Sequence, residues 1–116
     1  MPLLNVLTSA LPEPARRAPL LASLSGLLAR ELGKPERYVM VALDGCADMS
    51  FAGTPEPACY AELKNVGSLA AQDAERLSGV LCAALSRGLG VAADRIYIEF
   101  TNADGALWGW NGGTFG

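Results

Sequence analysis

Apolar and polar positions along the chain follow two alternating periods. Residues 3–8, "LLNVLT", are a short apolar run between turn-forming residues, which predicts a mostly buried strand. A proline-rich link follows, "LPEPARRAP". Pro19 suits the first position of a helix. Leu20, Leu24, Leu27, Leu28 and Leu32 then fall on one helical face. Gly33 is a natural stop. Residues 37–43, "RYVMVAL", are rich in β-formers and predict a second strand. The segment 44–57 is full of Gly, Pro and Asp and reads as a loop, with Met49 and Phe51 as its large apolar residues. Residues 58–66, "ACYAELKNV", alternate well enough for a third strand. After Gly67 a helical pattern runs to Leu89, with Leu77, Leu81, Leu85 and Leu89 recurring every four residues. Gly90 ends it. Residues 94–101, "DRIYIEFT", predict a fourth strand, and the glycine-rich tail carries Trp108, Trp110 and Phe115.

The two halves match. Leu28, Arg30, Leu32 and Gly33 correspond to Leu85, Arg87, Leu89 and Gly90, each 57 residues on. Arg37 and Arg95 are 58 apart, so the second connection is one residue longer. The pattern is a duplicated β-α-β unit, with parallel strands and a right-handed crossover within each unit. The expected fold is α/β, a two-layer sandwich of a four-stranded sheet with two helices on one face. One domain, 1–116, is expected, with pseudo-repeats at about 2–45 and 58–101 and a C-terminal tail 102–116. The other sheet face is expected to be bare and fairly apolar, and therefore to associate with further copies.

Composition supports that last point. The chain is 51% hydrophobic and 18% charged, against about 45–50% and about 25% in typical domains. The net charge is −3, with no basic run, which argues against nucleic acid. No apolar stretch approaches the roughly 20 residues that span a bilayer. No signal peptide is apparent, so a cytoplasmic location is expected. The three cysteines show no CxxC spacing, and no disulfide framework or metal site is expected. Histidine is absent, so any general base must be another group.

Several residues carry candidate chemistry. Removal of Met1 would expose Pro2 as a secondary amine at the head of a buried strand. Desolvation and nearby cations disfavour an ammonium, and a neutral amine is a usable base. A bland Met-Pro start is the alternative. Lys34, at a helix C-terminus, either complements the helix dipole or holds a substrate carboxylate. Lys64 has the same two readings, with solvation the ordinary one for a strand lysine. Tyr97 and Glu99 share one face of the fourth strand, opposite Ile96 and Ile98. Tyr97 is either packed or positioned to polarise a carbonyl. The aromatics of the tail either pack against a neighbour or wall a flat substrate.

Taken together, "MPLLNVLTSALP", "LGKPERYVMV", "DRIYIEF" and "GWNGGTFG" resemble macrophage migration inhibitory factor and its bacterial relatives in the tautomerase superfamily. The likeness runs from the first residue to the last. It implies the tautomerase fold, a symmetric homotrimer and no cofactor. It implies keto–enol tautomerisation of phenylpyruvate-like α-keto acids, with dopachrome-like compounds as a further substrate class. By resemblance the catalytic set falls on Pro2, Lys34 and Tyr97, the last reaching a neighbouring subunit's site. The pocket aromatics fall on Tyr38, Trp110 and Phe115, and a backbone contact on Val66. Four positions depart from or adjoin that pattern. Lys64 and Asn65 stand where a His-Ser pair is usual, Glu99 replaces an asparagine of animal members, and Trp108 replaces a small aliphatic residue. A carboxylate at Glu99 would raise the Pro2 pKa unless Lys64 offsets it. The animal Cys-x-x-Cys motif is absent, with Ala58 and Ala61 at its positions. A receptor-binding, cytokine-like role is the alternative function, implied by the resemblance alone.

Overall fold

Strand β1 (Pro2–Thr8) begins one residue into the chain, in a computed structural model that describes all of residues 1–116. Its side chains alternate in burial, with Leu4, Val6 and Thr8 all fully enclosed, as a strand covered on one face requires. Helix α1 (Pro14–Leu32) returns the chain to β2 (Met40–Gly45), which lies parallel to β1. The second unit repeats the pattern with β3 (Cys59–Val66), α2 (Ala71–Leu89) and β4 (Ile96–Ala103), and β3 and β4 are again parallel. The two units meet through an antiparallel β1–β3 pair, so the sheet order is β2-β1-β3-β4.

The covered face holds the core. Leu4, Val6, Ala61 and Leu63 of the sheet pack with Leu24 and Leu28 of α1 and with Leu77, Leu81, Leu85 and Leu89 of α2. Leu20, Leu27 and Leu32 pack partly buried at its margin. Burial of each leucine contributes about 1.5–3 kcal/mol. An ion pair between Arg76 Nη1 and Glu31 Oε1, 2.6 Å long, links the two helices.

The elements differ from the sequence reading in four ways. Helix α1 begins at Pro14, which takes the N1 position, so Pro19 sits inside the helix. Pro19 cannot donate to the carbonyl of Ala15. Both residues are exposed, so water can serve that carbonyl. Strands β2 and β4 start later than expected because Glu36–Tyr38 and Ala93–Arg95 each form a single 3-10 turn. The turns follow extended Pro35 and Ala92, and they occupy equivalent places in the two units. The tail is not irregular. Gly109–Trp110 (β5) and Gly113–Thr114 (β6) form a short antiparallel hairpin. Its loop residues Asn111 and Gly112 both have positive φ, 51° and 80°, the type I′ geometry that Asn-Gly favours.

The fourth difference concerns the bare sheet face. It is uncovered within one chain, but it is not uniformly apolar. Strand register puts Asn5, Ala42, Glu62 and Glu99 in one row, and Leu3, Met40, Lys64 and Thr101 in the next. Glu62 pairs with Lys64 at 3.7 Å, and the Thr101 hydroxyl donates to the Glu99 carboxylate. The apolar excess is instead in the leucine core and in Met40, Tyr60 and Tyr97 on this face.

Candidate active site

The head of β1 opens on a cavity of about 230 Å³. Met1, Pro2 and Leu3 form one wall, Arg37 to Met40 a second, and Trp108 to Trp110 with Phe115 a third. The tail hairpin delivers the aromatic wall. The Phe115 N–H donates to the carbonyls of Gly105 and Trp108, at 3.0 and 3.2 Å, which ties the chain end to the preceding turn. Trp110 and Phe115 stack with centroids 5.7 Å apart and planes 16° apart. Tyr38, carried by the 3-10 turn before β2, meets both edge-on at 5.3 and 5.8 Å. Three rings therefore enclose a flat apolar space beside Pro2, whose side chain is fully buried.

Lys34 reaches the same strand end from the helix. Gly33 ends α1 with φ of 62°, a left-handed turn that glycine adopts without strain. The Lys34 N–H donates back to the Ala29 carbonyl at 3.1 Å. The side chain then runs to the end of β3, where Nζ donates to the Val66 carbonyl at 2.6 Å. The Val66 N–H donates to the Met1 carbonyl at 3.4 Å, closing the group. Burial lowers the pKa of the Met1 amine below its ordinary 8.0, and the Lys34 charge lowers it further. Burial also lowers the Lys34 pKa. Both shifts disfavour the charged form, so a terminal amine here is more readily neutral than in water. In the chain with Met1 in place, the Pro2 nitrogen is an amide and has no basicity.

Of the residues singled out in the sequence, Pro2, Tyr38, Trp108, Trp110 and Phe115 line the cavity. Lys34 and Val66 adjoin it through the Met1 contact. Asn65 lies opposite Pro2 in the sheet, 2% exposed, and its Oδ1 has no hydrogen-bond partner. Lys64, Glu99 and Tyr97 are elsewhere, on the open sheet face. Tyr97 precedes the residue in register with Asn65 by five positions, which puts it about 20 Å from Pro2 across two strands. It packs on Phe51 of the β2–β3 loop, centroids 4.9 Å apart, and is 64% exposed. Within one chain neither Tyr97 nor Glu99 meets the cavity. The sequence reading missed Arg37, Val39 and Met40 as lining residues, because it placed them inside a regular strand. It also missed the hairpin, for which the Asn111-Gly112 pair is a strong signal. No cluster of three or more His, Cys, Asp or Glu side chains is placed to hold a metal ion.

The profile of macrophage migration inhibitory factor matches residues 1–116, the whole chain. The chain belongs to the macrophage migration inhibitory factor family. The homolog from Trichuris trichiura is 39% identical over 95 residues, 82% of this chain and 83% of that one. The protein of Meriones unguiculatus is 34% identical over 111 residues, 96% of this chain and 92% of its own length. Among solved structures, the crystal structure of the homologue from Prochlorococcus marinus superposes with a TM-score of 0.91 at 44% identity, covering 98% of this chain and 99% of that one. The Trichinella spiralis protein superposes with a TM-score of 0.88 at 31% identity, over 97% and 99% of the two chains. The family's fold is the tautomerase fold, and its superfamily is one of isomerases at the general level. The cyanobacterial homologue agrees with a bacterial-type member of the macrophage migration inhibitory factor family.

Proposed function

We propose that the protein is a cofactor-independent keto–enol tautomerase of phenylpyruvate-like α-keto acids, with the Pro2 amine, freed by removal of Met1, as general base. Dopachrome-like compounds are a second substrate class of the same pocket. The observation that supports the reading is the setting of the chain start: the Met1 amine lies beside an aromatic cavity and Lys34, its pKa lowered, and removal of Met1 leaves the Pro2 amine in that setting. The neutral Pro2 nitrogen takes a proton from the carbon next to the keto group. The C–H electron pair forms the C=C bond, and the keto oxygen takes up the negative charge. The prolinium then returns its proton to that oxygen. Lys34 Nζ uses one of its three donors on Val66, which leaves the others for a substrate carboxylate. Tyr38, Trp110 and Phe115 hold the ring flat and orient the reacting carbon, with Trp108 closing the wall.

The remaining roles belong to an assembly. In a homotrimer built through the open sheet faces, Tyr97 of one copy completes the pocket of the next and stabilises the enolate. Glu99 and Lys64 then stand near that junction, with Asn65 and Val66 at its strand end. The test is Pro2→Gly, in chains whose fold and assembly match the original. Phenylpyruvate turnover is expected to fall about 100-fold or more, as loss of a positioned base costs. Turnover within a few-fold of the original would contradict the assignment.

A further inference from the structure

The repeat puts Arg37 and Arg95 at one position of the two β-α-β units, each on the 3-10 turn before the unit's last strand. Their surroundings have diverged. The Arg95 guanidinium donates to the carbonyls of Phe51, Thr54, Glu56 and Pro57, at 3.2, 3.4, 2.9 and 2.9 Å. It also lies over the Phe51 ring, 5.2 Å from the centroid. Arg95 thus commits four of its five donors to holding the β2–β3 loop against β4. Arg37 has no such partner. It forms no intramolecular hydrogen bond, and the two ion pairs of the chain, Lys64–Glu62 and Arg76–Glu31, do not include it. Its guanidinium rests 4.8 Å from the centroid of the Tyr38 ring. That stack holds the cation by its π-face and leaves the five edge donors free.

Arg37 is also the only charged side chain that lines the cavity. Lys34 adjoins the cavity at the strand end without lining it, with Nζ on the Val66 carbonyl. Arg37 is exposed while Pro2 is buried, so the cavity runs from solvent beside Arg37 to the strand end. A ligand in the cavity whose carboxylate is held by Lys34 therefore leaves Arg37 as the charged side chain of the lining for a second anionic group.

We infer that Arg37 is a specificity-determining anion site, and that this pocket prefers aromatic acids carrying a second anionic group on the ring. For catalysis the inference rests on the tautomerase reading. For binding it takes from that reading only the carboxylate held at Lys34, and it does not require turnover. A planar guanidinium with free paired donors suits a carboxylate in bidentate geometry. The site is partly wet, which places its contribution at the low end for charge-assisted bonds.

Both tryptophans of the chain line the cavity, so intrinsic fluorescence reports any occupant. The experiment titrates phenylacetate and benzene-1,4-diacetate into the original protein, Arg37→Gln and Arg37→Lys. The original protein is expected to bind the diacetate about five-fold or more tighter than phenylacetate. Arg37→Gln is expected to abolish that preference while changing phenylacetate affinity less than two-fold. Arg37→Lys, which keeps the charge but loses the fork, retains part of it. Equal weakening of both ligands by Arg37→Gln, or no preference in the original protein, would overturn the inference. Phenylpyruvate turnover is followed in parallel. Its absence from the original protein counts against the tautomerase reading, while the binding comparison still decides the role of Arg37.

Discussion

Pro2 and Lys34 come from separate elements, and each is placed by a neighbouring residue with little chemistry of its own. The left-handed turn at Gly33 aims Lys34 at the end of β3, and the Val66 backbone joins it to the first residue of the chain. The consequence is electrostatic. An amine beside Lys34 and partly out of water loses its proton more easily than a free one. The base proposed for the reaction is the neutral Pro2 amine in the place the Met1 amine holds here, so kcat/KM for phenylpyruvate is expected to rise with pH and level off, with a midpoint below that of a free N-terminal proline in a model peptide. A pH–rate profile checks this, and a midpoint at or above that value would contradict it. Glu99 acts on a different part of the molecule within one chain. Its carboxylate is on the open face beside Thr101, and the Met1 amine's pKa moves down. Pro2 and the three pocket rings were legible as single residues, because their types and positions carry the family's pattern. The amine's environment was not, because it depends on contacts between residues more than thirty positions apart.

At the scale of elements, the leucine stripes of both helices and the existence of all four strands were readable from period alone. Boundaries were less so. Proline is compatible with N1, and two prolines competed for that position. Pro14 holds it, and α1 carries Pro19 as an interior residue with one backbone bond missing. Pro19→Ala is therefore expected to stabilise the chain by about 1–3 kcal/mol, since it restores a donor for Ala15 and relieves the ring. Urea denaturation measures it, and a destabilised variant would contradict this account of the helix. The 3-10 turns were hidden for a related reason. "ERY" and "ADR" are single turns too short to show a period, and they run directly into the apolar residues of β2 and β4. Those turns matter to function because they set Arg37 and Tyr38 at the cavity, where a longer strand would have alternated them across the sheet.

The whole molecule leaves one sheet face uncovered, and that face mixes Met40, Tyr60 and Tyr97 with rows of Glu62, Lys64 and Glu99. The sequence revealed that a face would be bare, since two helices of this length cover only one side. Its polarity depended on register, which a single strand does not reveal. The same sheet geometry holds Tyr97 far from Pro2 in one chain, so a role for that tyrosine requires a second copy. The proposed catalysis turns on one atom, the Pro2 nitrogen, which can act as a base only when Met1 is gone. The most direct measurement compares phenylpyruvate turnover by chains shown by intact mass to begin at Pro2 with turnover by chains that keep Met1. Retention of Met1 is expected to lower turnover about 100-fold or more. Equal turnover by the two chains would contradict it.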